Sequence, residues 1–207
     1  MSRTTALTIC LTWLLTLTGC AGSGEVIPLQ LKPPSADSGK MAKQAQGLRV
    51  DLGSFEDARP FKTGLGTRSH LWGGTSYFDL PGGNPGDSVA KALADYLTAK
   101  GWTIVKRGSG EASDVVLIGK ILELSVHAKS RVGSTELTAK SKFAILATNA
   151  ADGSTVRMTL NGSGAEDVFW FDKEDLEAVL NEVLTDSFHK LIQDTKVENK
   201  MLRLKSP

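Results

Sequence analysis

Leu176, Val179, Leu180, Val183, Leu184, Phe188, Leu191 and Ile192 recur at spacings of three and four, the period that aligns side chains along one stripe of an α-helix. A stripe this continuous must be buried against another element. Asp172 is the expected N-cap, with Asp175 three residues on, and Phe171 can pack on Leu176 as a hydrophobic staple. On that reading the run Phe169-Trp170-Phe171 serves as core and staple rather than as a ligand platform.

The partner of that stripe is read from shorter, period-two segments. Leu48, Val50 and Leu52 alternate with Arg49 and Asp51, after which Gly53 is a natural bulge and Phe55 falls on the other parity. After Gly86, Asp87 or Ser88 caps a helix whose Val89, Leu93, Tyr96 and Leu97 share a face, and Gly101 stands where a left-handed terminating residue is wanted. A short strand is expected at 102–106 and a longer one at 115–127. In the longer one Val116, Ile118, Leu122, Leu124 and Val126 form the apolar parity, with Lys120 as its misfit. Further strands are expected at 137–148, with Leu137, Ala139, Phe143, Ile145 and Ala147 inward, and at 155–161, with Val156, Met158 and Leu160 inward. The turn Ala151-Asp152-Gly153 joins them. The pattern predicts an α+β fold, a two-layer sandwich in which a mixed, mostly antiparallel sheet of about five strands carries two helices on one face. The opposite face would then present Lys140, Lys142, Thr148, Arg157, Thr159 and Asn161, to solvent or to a partner.

At the N-terminus Arg3 precedes an apolar stretch, 6–17, that is too short to span a bilayer and has the layout of a secretory signal peptide. It ends in Leu17-Thr18-Gly19-Cys20, which resembles the bacterial lipobox, whose cysteine thiol accepts a diacylglyceryl group before cleavage. Acyl chains on Cys20 would anchor the protein, each buried methylene contributing about 0.8 kcal/mol. Ala21 replaces the aspartate that marks inner-membrane retention, so the resemblance implies the periplasmic face of the outer membrane. The expected organisation is a signal peptide at 1–19, a flexible Gly-, Ser- and Pro-containing tether at 20–46, and one periplasmic domain at 47–207. Cys10 lies in the discarded segment, which leaves the mature chain no thiol for a disulfide, a metal or a nucleophile. Of 24 basic residues, 23 remain without Arg3, against 23 acidic ones. That balance gives no reason to expect nucleic acid as a partner.

The run Phe143-Ala144-Ile145-Leu146-Ala147-Thr148, then Val183-Leu184-Thr185-Asp186-Ser187 and Gln193-Asp194, resembles the YajG family of uncharacterised bacterial lipoproteins. The resemblance spans 137–202 and extends to the lipobox and to Thr98-Ala99-Lys100-Gly101, while 59–86 is a longer loop than that pattern has. It implies a periplasmic α+β domain on a lipid anchor with no assigned catalytic activity. Cys20 is the one functional residue it carries over.

Chemistry-bearing motifs are sparse. His70, His127 and His189 are not spaced as metal ligands, no G-x-S-x-G elbow occurs, and Gly64-Leu65-Gly66-Thr67 lacks the lysine of a phosphate loop. No metal or cofactor is expected. The segment 59–86 stands out, with seven glycines and three prolines among its 28 residues, because a loop this long in a compact domain is usually functional or disordered. Its Arg68, His70, Trp72, Tyr77 and Phe78 are the candidate partner- or ligand-binding residues; the alternative is that the aromatics fold back over the sheet as a small strand pair. Two functions follow. One is a non-enzymatic envelope lipoprotein that binds an envelope protein or glycan as an accessory module. The other is a periplasmic ligand-binding protein or hydrolase acting through 59–86, which requires Arg68, His70 and an acid such as Asp79 in one cleft.

Overall fold

The computed structural model describes residues 24–33, 47–105, 107 and 109–205. Cys20, the expected signal peptide and residues 20–23 and 34–46 of the expected tether lie outside them. In chain order the elements are β1 (Val26–Pro28), β2 (Arg49–Leu52), β3 (Glu56–Asp57), β4 (Gly66–Ser69), β5 (Thr75–Asp79), α1 (Pro85–Ala99) and β6 (Thr103–Val105). They continue with β7 (Val115–Arg131), β8 (Ser134–Asn149), β9 (Thr155–Val168), α2 (Lys173–Gln193), β10 (Thr195–Glu198) and β11 (Met201–Leu204).

The fold is α+β with a mixed sheet, but the sheet has nine strands among the described residues, not about five. The expected meander is there as β7, β8 and β9, paired antiparallel over nearly their whole lengths. The additional strands come from β7's other edge. There the chain runs parallel to β7 in three short pieces, Val50 opposite Val115, Glu56 opposite Lys120 and Gly66 opposite Val126. β5 then folds back on β4, and β1 adds in parallel to β5, Val26 opposite Tyr77. β1 falls inside the segment expected as a tether, and Leu29 after it is fully buried, so that part of 20–46 is packed on the domain.

β7 also corrects a phase. Val115, Leu117, Gly119 and Ile121 are the buried residues of its first half, while Ile118 is exposed, the reverse of the expected parity. A register shift between Ile121 and Glu123 leaves Leu122 as a bulge, after which Leu124 and Val126 face inward as expected. Lys120 is thus a solvent-facing residue paired with Glu56 at 2.7 Å, not a misfit.

Helix α1 begins earlier than expected, with Asn84 as N-cap accepting from the Asp87 amide and Pro85 in the first turn. For α2 the cap is Asp172, as expected. The two helices meet over the sheet through aromatic rings. Tyr96 lies 5.8 Å from Phe188, Phe188 lies 5.9 Å from Phe143 of β8, and Phe55 meets Phe143 edge-on at 6.1 Å. Two side-chain choices let α2 lie close to the sheet. A Cβ on Gly162 would collide with the Val183 carbonyl, and the Ser141 and Ser187 hydroxyls share a buried hydrogen bond of 2.7 Å.

The C-terminal hairpin β10–β11 had no period long enough to be expected. It turns through Asn199 and Lys200, both at positive φ. Asn149 docks it: its amide donates to the Leu202 carbonyl at 3.0 Å and its Oδ1 accepts from the Leu202 amide at 2.7 Å. Arg203 adds an ion pair with Asp152 at 2.6 Å.

Candidate functional site

The five candidate residues of 59–86 lie on or next to the β4–β5 hairpin, whose turn is closed by the His70 amide donating to the Gly74 carbonyl at 3.2 Å. Strand alternation then sends them in three directions. Phe78 is fully buried, 6.1 Å from Phe171. Arg68 is on the same face, its guanidinium 4.0 Å from the Phe171 ring centre, and its Nε is buried with no hydrogen-bond partner among the described residues. Burial pushes the Arg68 guanidinium below its usual pKa range, with Glu25 opposing. Tyr77 points to the opposite face of the sheet and is about half exposed, while Trp72 sits at the turn, 89 % exposed. The His70 Nε2 shares a hydrogen bond of 2.7 Å with the Ser76 hydroxyl.

A cleft joining Arg68, His70 and Asp79 does not form. His70 follows β4 at the turn, whereas Asp79 ends β5 at the far end of the hairpin, where its Oδ1 accepts from the Leu80 amide. Among the described residues no three or more His, Cys, Asp or Glu side chains are grouped to hold a metal ion. His127 is exposed on β7, and His189 of α2 approaches the Tyr96 hydroxyl at 3.5 Å.

Around 58–65 the chain is shaped by Arg59, which is 5 % exposed. Its fork takes both Asp57 oxygens, at 2.9 and 3.0 Å, and its Nη1 donates to the Gly64 and Leu124 carbonyls. The Leu124 bond supplies a donor just past the bulge, where the regular ladder is interrupted. The guanidinium in turn holds the Asp57 carboxyl below its ordinary pKa.

The face expected to meet solvent or a partner carries, besides its polar residues, an apolar floor that the phase of β7 creates. On the face away from the helices, Ile118, Ala144 and Leu146 floor a trough of about 660 Å³, rimmed by Lys120, Glu56 and Arg157. A recess of about 480 Å³ lined by Phe61, Leu122, Ser125 and His127 involves the bulge on the same strand. Ile118 is 43 % exposed, and among the described residues Lys140, Lys142 and Arg157 form no ion pair. Lys120 at a supposedly buried position was the signal that would have found it.

A family model for uncharacterised lipoproteins matches residues 81–202. The chain belongs to this family, the YajG family. The match begins just before α1 and runs to β11, so it takes in the meander, α2 and the docked hairpin. No curated protein matches the chain. Among solved structures, a protein of family DUF330 from Xanthomonas campestris is similar at 14 % identity and a TM-score of 0.46, covering 82 % of this chain and 92 % of that one. A Caulobacter crescentus CB15 chain described as a candidate lipoprotein is similar at 16 % identity and a TM-score of 0.30, over 51 % of this chain and 76 % of that one. Scores this low support no inference.

Proposed function

We propose that the protein is a non-enzymatic envelope lipoprotein, anchored by acyl chains on Cys20, that offers the uncovered face of its sheet to an acidic envelope protein. The observation that carries the binding role is the trough over Ile118, Ala144 and Leu146. An apolar floor with the unpaired Arg157 on its rim, and with Lys142 and Lys140 farther along the same face of β8, suits a partner segment with a few apolar side chains between carboxylates. Family membership and the Leu17-Thr18-Gly19-Cys20 motif support the anchor, and Ala21 supports the outer membrane as its destination.

The two parts are tested separately. Cys20→Ala should leave the precursor uncleaved and without acyl label; undiminished labelling in that variant removes the anchoring claim. A photo-crosslinking residue in place of Ile118 should give a discrete adduct in intact envelopes. Lys142→Glu combined with Arg157→Glu should suppress it, because the attraction becomes repulsion. An adduct yield indifferent to the charge reversal would refute the acidic partner.

A further inference from the structure

One end of the sheet collects exposed apolar side chains from three separate turns. A single row of backbone register crosses the sheet near that end: the Gly24 amide donates to the Thr75 carbonyl at 2.7 Å, and Thr75 pairs with Ser69, Ser69 with Lys129, Lys129 with Glu136 and Glu136 with Asp167. Beyond the row lie the last residues of β7 and β9, the first of β8, and the connections. The β4–β5 turn carries Leu71 and Trp72, the β7–β8 turn carries Val132, and the link from β9 to α2 carries Phe169 and Trp170. Trp72 is 89 %, Val132 86 %, Trp170 78 % and Phe169 68 % exposed. The aromatic run expected to be core is therefore split, since only Phe171 turns inward, against Phe78 and Arg68.

The opposite end has a different character. There the β8–β9 turn is Ala150-Ala151-Asp152-Gly153, with no large apolar side chain. The turns at the first end were not forced to be apolar by folding, because these side chains bury little in the domain.

The N-terminal segment indicates what covers them. β1 runs parallel to β5, so the chain joins the sheet from the end that carries the turns. Gly24 is already hydrogen-bonded there, and Cys20 precedes it by four residues. Four residues span at most about 14 Å. An acylated Cys20 brings that end of the domain, and no other, against the bilayer surface. Trp is the side chain best suited to that depth, with an apolar ring and an N–H that stays in the headgroup region.

We propose that this end of the domain lies in the membrane interface, with Trp72, Val132 and Trp170 seated among the lipid headgroups. The proposal rests on the acylation of Cys20. It makes the lipoprotein a body fixed in orientation on the membrane, with its strands rising from the surface, rather than one swinging on a long tether.

The test uses the full acylated protein in vesicles of phosphatidylethanolamine and phosphatidylglycerol, with and without lipid brominated near the headgroup. Trp72 and Trp170 should each be quenched by the bromolipid, read singly in Trp170→Phe and Trp72→Phe. The third tryptophan of the mature chain, Trp102, is 4 % exposed and should be unaffected, which reports the fold. Trp72→Asp combined with Val132→Asp should abolish quenching of Trp170 while the protein still floats with the vesicles. Flotation without quenching at either indole overturns the proposal, since the anchor is then in place and the domain stands away. Emission that follows protein density and ignores bromolipid also overturns it, and names a second copy as the cover. A mature chain whose mass shows no acyl group removes the anchoring reading, and the proposal with it.

Discussion

Arg59→Ala should be among the most damaging single changes outside the aromatic core, although no large apolar group is removed. The guanidinium is 5 % exposed and makes four side-chain hydrogen bonds, two to Asp57 and one each to the Gly64 and Leu124 carbonyls. Its removal leaves both carbonyls short of a donor at about 1–3 kcal/mol each. It also leaves the Asp57 carboxylate, 21 % exposed, without its cation. Breaking a buried pair from one side costs about 3–5 kcal/mol, and because water reaches Asp57 the lower figure of about 3 is expected. At a urea slope near 2 kcal/mol/M the pair alone moves the unfolding midpoint down by about 1.5 M, and the two carbonyls add to that shift. Arg59→Lys should recover less than half of the loss, since an ammonium cannot span both oxygens and two carbonyls. The pH dependence has a definite sign. The Asp57 carboxyl is held below its ordinary value of 3.8, chiefly by the Arg59 hydrogen bond, so the pair's contribution is complete above that value and is lost as pH falls through the lower folded-state pKa. The deficit of Arg59→Ala should therefore shrink in acid. A loss under about 1 kcal/mol at neutral pH, the scale of an ordinary surface change, would show that Arg59 does not organise the bulge.

Two further outcomes test the rest of the fold. Leu184→Ala, at a fully buried position of α2, should cost about 2–5 kcal/mol in chemical unfolding, and Glu182→Ala on the exposed face under about 0.5; equal losses would mean the helix face is misassigned. The Asp152 carboxyl is lowered to about 2 by Ser154 first and Arg203 after it, so its support of the docked hairpin is full above 3.8 and disappears as pH drops toward about 2. The protection factor of the Leu202 amide, its exchange relative to the unstructured rate at the same pH, should fall in that window, and in Asp152→Asn it should be low throughout and no longer change with pH there.

How much of this was legible depends on whether the deciding interaction was local. The α2 stripe, its Asp172 cap and the inward faces of β8 and β9 are local patterns and read correctly. The extra strands were not legible in the same way. β3 and β4 are two and four residues long and pair in parallel with a strand 64 and 60 positions away, Glu56 with Lys120 and Gly66 with Val126, so no window of sequence contains both partners. β7 failed for another reason. Val115, Val116, Leu117 and Ile118 are all apolar, so period two cannot choose between the parities, and only Lys120 breaks the tie.

The candidate site fared differently again, because a list of suggestive side chains is not yet a site. Treated as an irregular loop, 59–86 lets Arg68, His70, Trp72, Tyr77 and Phe78 converge in any arrangement. Once Gly73-Gly74 is read as a turn between two strands, convergence is ruled out, since neighbours such as Tyr77 and Phe78 must face opposite sides of the sheet. The same constraint leaves Trp72 at the tip. There its surroundings are set by the other connections at that end of the sheet, at Val132 and at Phe169 and Trp170, and by the four-residue reach to Cys20. Those relations are set by strand register across the whole sheet, so they could be read only after β1, β4, β5, β7, β8 and β9 had been aligned.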